Sequence, residues 1–193
     1  MIEYLNGQLV EVNPAHVILD VNGVGYFLQI SINTYSSLSG KSAAKLFIHE
    51  VIREDAHLLF AFFSIEERVL FRHLISVSGV GANTGILMLS SLSPAEIQSA
   101  IISEDVNCLK SIKGIGLKSA QRIIIELKDK LTKQPVSSDI FTTLNNTTRE
   151  EALSALVTLG FLKKNAEKAI DHIMKLHPEK TVEQVIKDAL KQM

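Results

Sequence analysis

The sequence predicts an α+β multidomain protein: a β-rich first third, a helical middle and a short helical end. Three observations carry that prediction. Short apolar runs separated by turn signals fill residues 1–63. A segment built around two glycines then occurs twice in one register, flanked by helical spacing. Finally, a Ser/Thr/Asn-rich stretch over 134–147 separates a last set of helical segments from the rest.

In the first third, Tyr4–Val12 runs to a turn at Asn13-Pro14, and His16–Val21 runs to Asn22-Gly23. Asn-Gly suits a two-residue hairpin because both positions tolerate positive φ. Gly25–Ile30 returns, and Ile32–Leu38 is a short irregular or helical link. Lys45–Ile52 and His57–Phe62 make a second hairpin around Arg53-Glu54-Asp55-Ala56. Five short strands, antiparallel by their loop lengths, suggest a small Greek-key barrel of the OB type. Gly40-Lys41-Ser42 mimics the end of a phosphate-binding P-loop, but Tyr35 stands where that motif needs its first glycine. No Walker A motif is present, and the chain itself is not expected to hydrolyse ATP.

The middle, 64–133, contains the repeat. Leu74–Leu87 and Leu109–Arg122 align at an offset of 35 residues without a gap. In each copy an apolar residue (Val77, Ile112) precedes the glycine pair by two. A β-branched residue (Val80, Ile115) sits between the glycines, and a small one (Gly85, Ala120) follows the second by four. Val69, Leu70, Leu74, Ile75 and Val77 before the first pair, and Ile86, Leu87 and Leu89 after it, have helical spacing. Each copy is therefore read as helix, two-glycine hairpin, helix. Glycine allows positive φ and close approach of another backbone. Amides at the start of the second helix, aided by its dipole, favour an anion, most naturally a phosphate.

Gly79, Gly81 and Gly85 also loosely resemble a dinucleotide-binding fingerprint, but that motif must follow a strand, and the segment before it here is helical. Plain helical turns end in glycine too, yet rarely as G-x-G twice in one register. The phosphate reading is preferred. Between the copies, Ser93-Pro94-Ala95-Glu96 marks a helix start with a capping box, and Ser103 before Glu104 and Asp105 reads as a similar start.

Residues 134–147 lack periodicity and read as a flexible linker. The end, 148–193, reads as a three-helix, UBA-like module. Thr148 caps a helix to Thr158, Gly160-Phe161 breaks it, and Lys164–Leu176 and Thr181–Met193 follow, the last from a near capping box at Thr181-Val182-Glu183-Gln184. Its charges balance, and a protein-binding role is the natural reading.

Composition narrows the function classes. No apolar run approaches the ~20 residues of a membrane span, and the N-terminus lacks the pattern of a signal peptide. Cys108 is the single cysteine, which fits a reducing cytoplasm. The six histidines show no metal-ligand spacing, and neither a metal nor a cofactor is expected. The net charge of −1 argues against nucleic acid until its distribution is considered. Lys110, Lys113, Lys118, Arg122, Lys128, Lys130 and Lys133 face only Glu126 and Asp129 over 106–133, so the second glycine copy lies in a strongly basic segment. Local charge steers a polyanion more than the total does.

The order of parts, with Asn22-Gly23-Val24-Gly25-Tyr26, Val51-Ile52-Arg53-Glu54-Asp55-Ala56 and Gly114-Ile115-Gly116-Leu117-Lys118-Ser119-Ala120 in sequence, resembles the RuvA family over essentially the whole chain. Members are DNA-binding subunits of the bacterial Holliday junction branch migration complex. The resemblance implies a homotetramer, or two tetramers face to face, on four-way junction DNA. It implies the ATPase RuvB as partner and the resolvase RuvC as a further one, in recombination, repair and the SOS response to DNA damage. DNA phosphates would be held around Gly79, Val80, Gly81 and Asn83, and around Gly114, Ile115, Gly116, Lys118, Ser119 and Arg122. Glu54 and Asp55 would form an acidic pin at the junction centre, and Leu159, Gly160 and Phe161 would meet RuvB.

Members commonly carry Pro-Lys after the second glycine of the first hairpin, where this chain has Ala82-Asn83. The basic role then shifts to the second copy, or to Arg68 and Arg72 if they face DNA. Two alternatives compete: a repair nuclease or glycosylase that docks through such hairpins, and an adaptor that binds no DNA. For the first, Asp129 reads as a helix-surface charge, and Glu50 is the one other acid close in sequence to the Glu54-Asp55 pair.

Overall fold

A computed structural model describes residues 1–133, 147–177 and 180–192. The linker expected over 134–147 lies outside the described residues except for Thr147. The chain divides into two compact units, Met1–Ser138 and Asp139–Met193.

The first unit begins with β1 (Tyr4–Val12), β2 (His16–Val21), β3 (Val24–Ile30), helix α1 (Ile32–Leu38), β4 (Ala43–Ile52) and β5 (His57–Phe62), which close into a barrel in the order β1-β2-β3-β5-β4. Ile32–Leu38 thus resolves as a helix, capped by Ser31, whose hydroxyl accepts from the Thr34 amide. Four of the strand pairings are antiparallel as expected, but the closing one, β3 with β5, is parallel. The reason is topological. A ring of five strands cannot alternate direction throughout, so one pairing must be parallel. A bulge between Leu9 and Glu11 bends β1 so that it pairs with both β2 and β4. Alternate residues fill the interior: Val17, Leu19, Leu28, Ile30, Leu46, Ile48 and Ala61, with Leu38 added from α1.

On β5 the alternation has a second use. Ala61 faces into the barrel while Phe60 and Phe62 belong to the core of the helical part. There they meet Phe71 of α2 (Ile65–Ile75), with ring centroids 5.4 and 4.8 Å apart. Two buried charged residues complete this joint. Glu67 accepts hydrogen bonds from the Ser31 hydroxyl and, at 2.7 Å, from that of Thr34, which itself accepts from the Phe63 amide. Arg68 donates to the side chain and carbonyl of Glu3, and Arg72 donates to the Ile48 carbonyl. Arg68 is 5% exposed. Arg68 is therefore spent on the outer wall of the barrel rather than free for DNA, because its burial makes partners obligatory. Arg72, with its side chain 34% exposed, leans on the same wall through Ile48.

The remaining helices are α3 (Ala82–Ser91), α4 (Pro94–Ile102), α5 (Val106–Lys110) and α6 (Leu117–Lys133). The Ser93 capping box forms, its hydroxyl accepting from the Glu96 amide and Glu96 accepting from the Ser93 amide. Ser103 does not start a helix. It ends α4, and Asp105 caps α5 by accepting from the Cys108 amide at 2.9 Å. An ionised carboxylate is the stronger acceptor for free helical amides, and Asp105 stands one residue before the helix while Ser103 stands three before it. No single helix among the described residues is long and apolar enough to cross a membrane.

The second unit holds α7 (Thr147–Thr158), α8 (Lys163–Leu176) and α9 (Val182–Gln192) around Ala152, Leu156, Ala166, Ile170, Ile173, Val185 and Ala189. Thr148, expected as a cap, lies inside the first turn. The break at Gly160 is a Schellman ending: φ is +96°, the Phe161 amide donates to Leu156 and the Gly160 amide to Val157. Half of the Thr181 capping box forms, with the Thr181 amide donating to the Gln184 side chain.

Burial holds the Glu67 carboxyl above its ordinary 4.5, opposed by the hydroxyls of Ser31 and Thr34. The folded state therefore binds this proton more tightly than the unfolded chain. Its stabilising contribution is complete below about pH 4.5 and is lost as pH rises through the raised value. Glu67→Gln keeps the polar contacts without the charge, so its stability relative to the parent should improve as pH rises above the ordinary carboxylate value and level off once pH passes the raised one. Each unit of raised pKa corresponds to about 1.4 kcal/mol of this trend. Parallel stability–pH curves in calorimetry would contradict this account.

Candidate nucleic-acid interface

The two glycine hairpins have the same internal hydrogen bonds. In the first, Val77 donates to Leu74, Val80 to Val77 and Gly85 to Gly81. In the second, Ile112 donates to Leu109, Ile115 to Ile112 and Ala120 to Gly116. Val77, Val80, Ile112 and Ile115 are buried in one shared core with Leu74, Leu109, Ile123 and Leu127, so a single apolar cluster fixes both loops. The small residue after each pair packs inward as well: a Cβ on Gly85 would come within 3.0 Å of Phe71, and Ala120 is fully buried.

This geometry separates the roles of the loop residues. Gly79 and Gly114 have φ of +90° and +89°, so the backbone itself requires glycine there. Gly81 has φ −83° and ψ 169°, an extended conformation open to any residue, and a Cβ on Gly81 or Gly116 would meet nothing within 4 Å. Neither conformation nor internal packing explains the second glycine. The exposed, repeated position leaves room for something approaching from outside.

Val80 and Ile115, predicted as phosphate donors, have amides already committed to Val77 and Ile112 at 3.0 Å in both loops. They anchor the hairpins. Among the described residues the amides of Gly79, Gly81, Gly114 and Gly116 make no hydrogen bond, and α3 starts from Gly81 without a side-chain cap. These amides and the first turns of α3 and α6 can take an anion.

Around the loops, Asn83, Lys113 and Lys118 are exposed, and Ser119 is half-buried. Lys128 is paired with Glu104, which reduces the free charge of the basic segment. Arg122 does something the spacing did not predict. Its Nη1 crosses to the other hairpin and donates to the Ser78 carbonyl at 3.1 Å.

Glu54 and Asp55 lie exposed at the tip of the β4–β5 hairpin, which is closed by the Arg53 amide donating to Ala56 at 2.8 Å. Glu50, lower on the same hairpin, is bonded to the His57 ring at 2.7 Å and lies 3.9 Å from the N-terminal ammonium. The His57 contact holds its carboxyl below the usual range. Glu50 is thus engaged within the hairpin rather than turned to the tip. Among the described residues no group of three His, Cys, Asp or Glu could hold a metal ion. In the second unit, Leu159 and Gly160 are exposed, whereas Phe161 is half-buried against the core. Leu162, not anticipated, is 74% exposed beside them. The apolar run Leu159-Gly160-Phe161-Leu162 was its signal.

Three family models match: the RuvA N terminal domain over residues 1–61, a SAM-like helix-hairpin-helix tandem over 71–129 and the RuvA C-terminal domain over 147–193. Among curated relatives, a protein of Christiangramia forsetii is 48% identical over 193 residues, covering all of both chains. The chain belongs to the RuvA family. Relatives from Bacteroides fragilis (47% identical over 201 residues) and Parabacteroides distasonis (48% over 198) also cover both chains completely. All three are named Holliday junction branch migration complex subunit RuvA. Membership adds an OB-type barrel and a helix-hairpin-helix tandem to the description of the elements above.

The two glycines of each loop should respond differently to alanine. Gly79→Ala should cost about 1–2 kcal/mol of stability, since an L-residue resists that backbone region. Gly81→Ala and Gly116→Ala should leave the urea midpoint unchanged and still weaken DNA binding at least tenfold together. Unaltered DNA affinity in that double variant would remove close approach as the reason for the second glycine.

Proposed function

We propose that this chain is a non-catalytic, structure-specific DNA-binding subunit. It holds four-way (Holliday) junctions as a homotetramer in the cytoplasm and recruits RuvB, whose ATP hydrolysis drives branch migration in recombination and repair. RuvC acts on the same junction. The observation that carries this reading is the second glycine of each hairpin, empty-sided and conformationally unneeded, beside uncommitted amides at a helix start. Phosphate contacts of this kind grip DNA without reading its sequence. Discrimination of a junction then falls to assembly and to Glu54 and Asp55, whose carboxylates would repel phosphates and keep strands apart at the centre.

Affinity for a four-way junction should exceed that for a linear duplex of the same arms by at least tenfold. It should fall with salt at a slope of ~0.9 per neutralised phosphate. Equal affinity for the two DNAs in gel shift would sink the proposal. Glu54→Gln with Asp55→Asn should leave junction affinity intact or raised while changing how the junction centre opens, read by fluorescence of a base analogue placed there.

The exposed Leu159 and Leu162 support a partner site in the second unit. Removing residues 148–193 should preserve junction binding and abolish stimulation of the RuvB ATPase. Retained stimulation would refute this assignment.

A further inference from the structure

Arg122 and Leu87 occupy equivalent positions in the two copies, so the hairpins are not interchangeable. The Arg122 side chain leaves its own loop and donates to Ser78 O, the carbonyl immediately before Gly79. A guanidinium has five donors in a planar fork, and one carbonyl bond leaves most of them free. Arg122 is exposed, and its bond to Ser78 holds the rest of the guanidinium beside the first loop. That loop carries Asn83 at the position where the second carries Lys118. Resting on the phosphate-binding reading above, we propose that Arg122 is shared between the hairpins: it fixes the first loop through Ser78 and supplies that loop's phosphate with the cation Asn83 does not provide.

Two features set Arg122 apart from an ordinary surface contact. Its anchor is a backbone carbonyl of the other copy, so it sets the loop's position as well as its charge. It also lies four residues after Lys118 on α6, which puts both cations on one helix face. One face of α6 thus serves the second loop with Lys118 and the first with Arg122.

The test is a charge-rescue cycle in the full-length chain. Salt dependence of binding is measured on a four-way junction and on a linear duplex for the parent, Arg122→Ala, Asn83→Lys and the double variant. Arg122→Ala should lower the slope by about 0.9, the value for one phosphate. Asn83→Lys should restore the parental slope in Arg122→Ala and raise the slope by less in the parent, where that phosphate is already neutralised. Arg122→Lys should keep the slope and lose affinity several-fold, because an ammonium lacks the fork that reaches carbonyl and phosphate together.

An equal slope gain from Asn83→Lys in both backgrounds would overturn the proposal, as would an Arg122→Ala slope matching the parent. A purely structural brace would lower affinity without moving the slope, and lysine would not rescue it. Circular-dichroism melting verifies that each variant is folded. The slopes are read on duplex as well as junction, so loss of junction preference in the parent would count against the functional reading alone.

Discussion

The seat of α2 on the barrel is the constraint from which the rest of the first unit follows. Phe60 and Phe62 turn outward from β5 to meet Phe71, and Glu67 and Arg68, adjacent on the helix, reach partners on separate parts of the barrel. Glu67 joins the start of α1 and, through Thr34, the end of β5; Arg68 joins β4 and the segment before β1. Buried charges are costly unless satisfied, so they disfavour alternative seatings more than they strengthen this one. The acidic tip on β4–β5 and the hairpin that ends α2 thereby belong to one compact body.

From that seat the chain builds two loops on a single core. The repeated bonds from Val80 to Val77 and Ile115 to Ile112 turn each middle residue inward. What remains outward is backbone, and backbone amides grip phosphates without regard to base sequence. Side chains then set the difference between the loops. The second has Lys118 beside it, while the first has Asn83 and is bonded by Arg122 at the Ser78 carbonyl. The position of the first loop is thereby tied to the packing of α6.

The second unit has a simpler logic. The Schellman ending at Gly160 buries one side of Phe161 and leaves Leu159 and Leu162 outside. Apolar residues held outward by a well-formed turn, rather than by a frayed helix end, suit a partner surface.

Much of this was legible in the sequence because it is periodic or local. Alternation and Asn22-Gly23 located the strands, helical spacing and paired glycines located the hairpins, and Ser93-Pro94 and Gly160 located helix ends. The candidate site was legible as loops and as a basic segment for the same reason. The sequence alone could not decide which glycine serves conformation and which serves access, since both have the same side chain and differ only in φ and surroundings. Nor could it say that the Val80 and Ile115 amides are spent, that Arg68 is buried against the barrel wall, or that one barrel pairing is parallel. Those depend on residues far apart in the chain: Glu3 with Arg68, Ser31 with Glu67, Ser78 with Arg122. Charge and turn propensity are written residue by residue, but the partner of each charge is chosen only when the elements pack.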